Sequence, residues 1–156
     1  MLFMRKKEGK VIEVLKQKVS ENRGQDMKFL SIGHVRSSSV FTVASDGSGL
    51  QVQQLSGYVL EWEHFQSIVE KANELGGVMV RGDVTAQGGG RLGEELSYDC
   101  MEGFIADQLL NTEAGKRVTR RSTYYSGILA WAGIVTLHKD EGRGSYITVN
   151  PAFRNI

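Results

Sequence analysis

The chain has 156 residues, of which 40% are hydrophobic and 24% are charged, and its formal net charge is +1. These values indicate one globular domain, or one domain with an appendage, with enough chain to bury about two-thirds of its unfolded surface. The single cysteine, Cys100, excludes an intramolecular disulfide and favours a reducing compartment. Because there is neither a membrane-spanning apolar run nor a signal peptide, we expect a cytoplasmic protein without membrane contact, nucleoid-associated if bacterial.

Charge is distributed unevenly along the chain. Residues 1–57 carry nine Lys/Arg against five Asp/Glu, residues 58–115 carry three against eleven, and residues 116–156 carry seven against two. This asymmetry suggests an anionic partner for the two basic ends. The alternative is that the acidic middle faces the basic ends, either within one fold or across a dimer.

The first predicted elements are a helix and a small antiparallel β-meander. Apolar residues recur at i, i+4 and i+8 and predict a helix over residues 6–22. This helix is either a surface helix packed on the domain, or a basic arm or dimerisation helix. Alternating residues predict three strands after it, joined by short polar turns, over 29–35, 40–44 and 50–55.

The clearest helical pattern of the chain follows the meander. An apolar stripe at spacings of three and four predicts a helix over 62–75, with Trp62 and Phe65 as core anchors. A short strand at 78–80 and a glycine-rich loop at 81–93 come next. This loop lacks the spacing of a phosphate-binding P-loop, so we expect a surface loop.

The last third of the chain predicts two helices followed by a hairpin. Ser97 is the expected N-cap of the first helix, and Thr119 is a candidate cap of the second. The small residues Gly127 and Ala130 indicate close packing of the second helix, against the domain or at an interface. The predicted elements are helices over 96–110 and 119–132 and strands over 134–138 and 145–149.

This order of helix, turn, helix and hairpin resembles the winged-helix branch of the helix-turn-helix DNA-binding superfamily. The resemblance covers the last third of the chain, and more if helix 62–75 is the first helix of a trihelical core. It implies a recognition helix in the major groove and a wing over the adjacent backbone.

The predicted fold class is therefore α+β, with an N-terminal helix and a small antiparallel β-meander before a helical core that ends in a winged helix-turn-helix. We assign residues 1–24 to an N-terminal helical appendage, 25–57 to the meander and 58–156 to a winged-helix-like domain. We expect the last two parts to form one compact unit.

The start of the second helix has side chains that suit DNA. Four Lys/Arg fall between residues 116 and 121 without an acid among them, and such cations displace the counterions of duplex DNA. An arginine at the start of a recognition helix can contact guanine through two hydrogen bonds, and hydroxyls and the helix N-terminus can bind phosphates. Tyr124 and Tyr125 cannot share a helix face, and we expect Tyr125 to point outward.

The predicted DNA-binding residues lie at this helix entry and on the hairpin that follows it. The alternative is a solvated basic turn that pairs with nearby acids, namely Glu94, Glu95, Glu102 or Asp107. The predicted set is Lys116, Arg117, Thr119, Arg120, Arg121, Ser122, Thr123, Tyr125, Lys139 and Arg143.

The expected function is sequence-specific binding of double-stranded DNA, as a transcriptional regulator or as the target-recognition module of a larger system. The alternative is a protein-interaction module that forms a homodimer without binding DNA. The three histidines are far apart and lack metal-ligand spacing, and one cysteine excludes a zinc ribbon. We therefore expect neither an enzyme nor a bound metal or other cofactor.

Overall fold

Two antiparallel sheets and four α-helices form the α+β fold seen in the computed structural model, which describes residues 8–22, 27–30, 38–82, 90–140 and 144–156. The third helix continues into a short π-helix, and a 3₁₀-helix at Pro151–Phe153 lies near the C-terminus. The helices are α1 Lys10–Glu21, α2 Trp62–Glu74, α3 Met101–Phe104 with its π-helical continuation Ile105–Leu109, and α4 Ser122–Trp131.

The N-terminal sheet contains four strands in the order β1-β2-β3-β4, and every neighbouring pair is antiparallel. The C-terminal sheet contains three strands in the order β5-β7-β6, so that the last strand of the chain lies in the middle. The strands are β1 Met27–Leu30, β2 Ser38–Val43, β3 Gly49–Val52, β4 Leu60–Glu61, β5 Val78–Val80, β6 Val135–Asp140 and β7 Gly144–Val149.

Helix α1 packs its apolar stripe against α2, and the stripe joins the common core. The helix begins at Lys10 instead of Lys6 as predicted, because residues 8 and 9 are not helical and Gly9 is its N-cap. The side chain of Gln66 on α2 accepts a hydrogen bond from the amide of Val11 at 3.0 Å. A side chain from α2 thus satisfies one of the free amides at the start of α1.

Helix α2 agrees closely with its predicted range. Phe65 is fully buried, as expected of a core anchor, whereas Trp62 is half-buried. The indole N–H of Trp62 donates to the carbonyl of Gly47 at 2.9 Å, so this ring also ties the β2–β3 turn to the helix. The predicted meander is present, with β4 as an additional strand and with β3 ending at Val52 instead of Leu55. Strand β1 begins at Met27 instead of Phe29, and residues 31–35 of the predicted first strand lie outside the described residues.

The predicted helix over 96–110 is shorter than expected. Its helical part begins at Met101, and the N-cap is Cys100 instead of Ser97, since the sulfur of Cys100 accepts from the amide of Gly103. The Ser97 hydroxyl instead accepts from the amide of Asp99, in a local turn. The Gly93 amide donates to the Leu96 carbonyl in one tight turn, and the Cys100 amide donates to the Ser97 carbonyl in a second turn, so residues 96–100 are not helical.

Helix α4 lies between the two sheets and contacts both β1 and β6. On the side of the N-terminal sheet, the Phe41 ring meets Trp131 edge-on at 5.0 Å, and the Phe29 ring meets Tyr124 edge-on at 6.4 Å. On the other side, Ile128 and Leu129 are fully buried in the common core. Because of this central position most residues of α4 are buried, and a predicted site residue on a buried side of the helix cannot contact DNA.

Candidate nucleic-acid interface

Two chain segments far apart in sequence bring basic side chains together in front of α4. Arg91 and Arg117 form an antiparallel β-bridge, and the Leu92 amide donates to the carbonyl of Lys116 at 3.0 Å. The side chains of Arg91, Lys116 and Arg117 are exposed. We call Arg91, Lys116, Arg117, Arg120 and Lys139 the basic surface.

Glu102 holds the N-terminus of α4 from a different helix. Its carboxylate accepts hydrogen bonds from the amide of Arg121 at 2.6 Å, from the amide of Ser122 at 3.2 Å and from the Ser122 hydroxyl. Burial raises the pKa of this carboxyl, and the hydrogen bonds from Ser122 and Arg121 act in the opposite direction. Because the carboxylate occupies these amides, the predicted phosphate site at the start of α4 is already filled by the chain itself.

Three expectations for the start of α4 are therefore wrong. Thr119 is exposed and does not cap the helix, since Arg121 is the N-cap and Glu102 supplies the acceptor. The Ser122 hydroxyl is buried and donates to Glu102, so it does not face a phosphate. Thr123 is buried as well, and its hydroxyl accepts a hydrogen bond from Nε of Arg120 at 2.7 Å.

The two arginines at the helix entry are half-buried instead of fully outward. The Arg121 guanidinium lies 4.7 Å from the centre of the Tyr58 ring, a cation–π contact, and Nη1 of Arg121 donates to the carbonyl of Arg120. Nε of Arg120 donates to Thr123, while no hydrogen bond to a described residue involves its two Nη groups. Arg120 is thus oriented by α4 and keeps donors available for an anion.

Tyr125 points inward, so the expected outward orientation is wrong. Its side chain is fully buried, and its hydroxyl lies 2.8 Å from Nδ1 of His64 and 2.9 Å from the hydroxyl of Tyr58. Nε2 of His64 lies 2.8 Å from a carboxylate oxygen of Glu61. With its proton on Nε2, His64 donates to Glu61 and accepts from Tyr125, which accepts from Tyr58 in turn.

The hairpin β6–β7 is connected to the start of α4 by a short chain of hydrogen bonds. Lys139, which is exposed, lies opposite Ser145 in the register of the two strands. The Ser145 carbonyl accepts from the amide of Arg81, and the Arg81 carbonyl accepts from the amide of Glu102, the residue that holds α4. Lys139 therefore lies at the same end of the molecule as the helix entry, whereas Arg143 falls outside the described residues.

Acidic side chains border the basic surface. Within the described part of the chain, neither Lys116 nor Lys139 forms an ion pair with a carboxylate. Glu95 accepts a hydrogen bond from the amide of Arg91, and this bond lowers the pKa of the Glu95 carboxyl. The predicted alternative, a basic turn paired with nearby acids, agrees with the position of Glu95, because the charges of Arg91 and Arg117 also lower the pKa of its carboxyl. Glu102 instead contacts the amides and the hydroxyl at the start of α4.

Sequence reasoning missed Arg91 and His64 as parts of this end of the molecule, and it considered Glu102 only as an ion-pair partner of the basic turn. Arg91 reaches the basic surface through a single β-bridge across 26 residues, for which the sequence gives no local signal. For Glu102 and His64, the signal in the sequence is that both lie on the buried faces of predicted helices, where a polar side chain needs a hydrogen-bond partner.

No group of three or more His, Cys, Asp or Glu side chains that suits a metal ion occurs among the described residues. Likewise, no described helix is long and apolar enough to cross a membrane. The thiol of Cys100 is buried and donates to the Ser97 carbonyl at 3.0 Å, and burial raises its pKa.

None of the family models, curated proteins or solved structures compared with the chain matches it.

Proposed function

We propose that the chain binds double-stranded DNA through the end of the molecule that carries the basic surface. The observation that carries this proposal is the connection between the helix entry and the hairpin. Glu102 holds the start of α4, and two backbone hydrogen bonds link Glu102 through Arg81 to Ser145 of the hairpin. Exposed Lys116, in the segment before α4, and exposed Lys139, on the hairpin, therefore lie on two segments that are both connected to Glu102.

The order of elements supports a winged-helix interpretation of this end. From α2 onward the chain runs helix, strand, helix, helix, strand, strand, and the C-terminal sheet has the order β5-β7-β6. In a winged helix, α4 has the position of the recognition helix and the β6–β7 hairpin has the position of the wing. Lys139 then lies on the wing, where contact with the DNA backbone is expected.

Electrostatics supports an anionic ligand of high charge density. The basic surface holds five cations, and Arg120 keeps both Nη groups available for phosphate oxygens. Neutralising about four phosphates predicts a slope of roughly −3 to −4 for log K against log salt concentration, since each contact contributes about −0.9. A transcriptional regulator and a target-recognition module both require binding to duplex DNA, so this prediction applies to either role.

The experiment is a fluorescence anisotropy titration of labelled random-sequence duplex with the full chain, at about 50 mM and about 200 mM salt. The test variants are Lys116→Gln, Lys139→Gln and the double variant. The matched control is the double variant Lys16→Gln/Lys28→Gln, which removes the same charge from exposed lysines on α1 and β1.

Each single test variant is expected to reduce the salt slope by about 1, and the double variant by about 2, while the control keeps the slope of the unmodified chain. Equal effects from Lys116 and Lys139 support simultaneous contact by the helix entry and the hairpin. Absence of binding at the lower salt concentration contradicts the proposal, as does an identical loss in the control variant.

A second candidate function is self-association, favoured by the acidic side of α2. Glu70, Glu74 and Asp99 are exposed there beside Tyr98, and Lys71 forms ion pairs with Glu74 and Asp99, so the side keeps an excess of acids. Their charge is complementary to the basic surface of a second copy, whereas the apolar face of α1 is already buried in its own core. Sedimentation equilibrium at two salt concentrations tests this candidate with Glu70→Gln/Glu74→Gln, and a monomer under every condition excludes it.

A further inference from the structure

The N-terminal sheet covers one side of α4, and no residue of this helix is fully exposed. Thr123, Ser126, Gly127 and Ala130 fall three or four residues apart and form one side of the helix. Ser126 is fully buried, and a β-carbon placed on Gly127 would lie 2.2 Å from a ring carbon of Phe29 on β1. The small residues on this side therefore allow a strand to pack directly on the helix.

The covering sheet is part of the core and not a loosely attached lid. Phe29 and Phe41 are each at most 2% exposed, and their rings contact each other with centroids 5.8 Å apart. Their edge-on contacts reach Tyr124 in the first turn of α4 and Trp131 in its last turn, so the sheet covers the helix along its length. Exposing this side of α4 would expose both phenylalanines to water.

The start of α4 is likewise unavailable for close contact with a base. Side chains at the N-terminus of a recognition helix usually contact base edges, but here Ser122 and Thr123 are buried and already hydrogen-bonded. The Glu102 side chain occupies the backbone amides of Arg121 and Ser122 at this point. The basic surface remains exposed around the helix entry, bordered by Glu94 and Glu95, and its long flexible side chains suit phosphates.

We infer that the chain holds duplex DNA by its sugar–phosphate backbone and that α4 reads no bases. This inference rests on the proposed function and specifies its ligand as B-form duplex of any sequence. The basic surface supplies the contacts, and α4 serves as a buried support that positions Arg120 through Thr123. Affinity then depends on phosphate density and salt concentration, and it does not depend on base sequence.

The test is a selection from random duplexes of roughly three helical turns, followed by competition between the enriched pool and a shuffled pool at one salt concentration. The expected result is an affinity ratio below about tenfold, because a single mismatched base pair in a specific site already costs about 5- to 150-fold. Lys116→Gln is expected to weaken binding of both pools by the same factor and to reduce both salt slopes equally.

An enriched pool that binds more than about tenfold tighter than the shuffled pool overturns the inference while leaving DNA binding in place. Absence of binding to either pool contradicts the proposed function itself, so the two failures are distinguishable. The Lys28→Gln variant removes the charge of an exposed lysine on β1 that is not part of the basic surface, and as the matched control it is expected to bind both pools like the unmodified chain.

Discussion

The packing of Gly127 against Phe29 gives a quantitative test of the covered helix. In an exposed helix, Gly→Ala would stabilise the protein by about 1 kcal/mol because alanine has the higher helix propensity. Here the new β-carbon would lie 2.2 Å from one ring carbon of Phe29 and 2.7 Å from another. Carbon atoms prefer separations of about 3.5–4.0 Å, so the ring or the strand must move by more than about 1 Å.

Phe29 has little room for this movement, since it is 2% exposed and also contacts Phe41 and Tyr124. Overpacking of a core costs about 1–3 kcal/mol and sometimes more, which exceeds the gain in propensity. We expect Gly127→Ala to lower the free energy of unfolding by about 1–2 kcal/mol and the melting temperature by about 2–8 °C.

Urea denaturation and thermal melting followed by circular dichroism measure both quantities. The double variant Gly127→Ala/Phe29→Leu removes the contacting ring atoms and is expected to lose less stability than the sum of its single variants. A Gly127→Ala variant as stable as the unmodified chain, or more stable, refutes the placement of β1 on α4 and with it the inference that α4 reads no bases.

Three further predictions follow from buried polar groups. Glu102→Ala is expected to lower the free energy of unfolding by about 2–4 kcal/mol in urea titrations, since Arg121 and Ser122 lose their buried acceptor. The control variant Glu113→Ala, at an exposed position, should change this free energy by less than about 0.5 kcal/mol. Burial lowers the pKa of His64, so the unfolded chain binds its proton more readily. The stability that neutral His64 contributes is therefore complete above about pH 6.5 and is lost as the pH falls. Thermal melts between about pH 5 and 8 test this, and the melting temperature of His64→Gln should fall less toward acidic pH than that of the unmodified chain. Because burial raises the pKa of Cys100, a thiol reagent should label it far more slowly in native protein than in urea, and equal rates would contradict its buried position.

Local sequence patterns predicted most of the described secondary structure. The stripe of α2 and the alternation of β6 and β7 are properties of single segments, because each segment must bury one face. The prediction failed where contacts from distant segments decided the outcome. Residues 96–100 carry helix-compatible side chains, yet they lie in turns, and the amide of Glu102 at the start of α3 donates to the distant carbonyl of Arg81.

The site shows the same division between local pattern and tertiary contact. The sequence by itself determined that cations cluster between residues 116 and 121 and that a helix follows them. Only the tertiary structure decided that Glu102 fills the start of this helix and that Arg91 joins the basic surface, because both contacts join residues far apart in the chain.

Helix α4 illustrates the physical reason most clearly. Its side chains are small or apolar on nearly every side, so its sequence does not distinguish a side that packs on a sheet from a side open to a groove. Gly127 and Ala130 indicated that something approaches closely, and the fold alone decided that the approaching element is β1 of the same chain. Burial depends on which elements meet in space, and that information is spread over the whole chain.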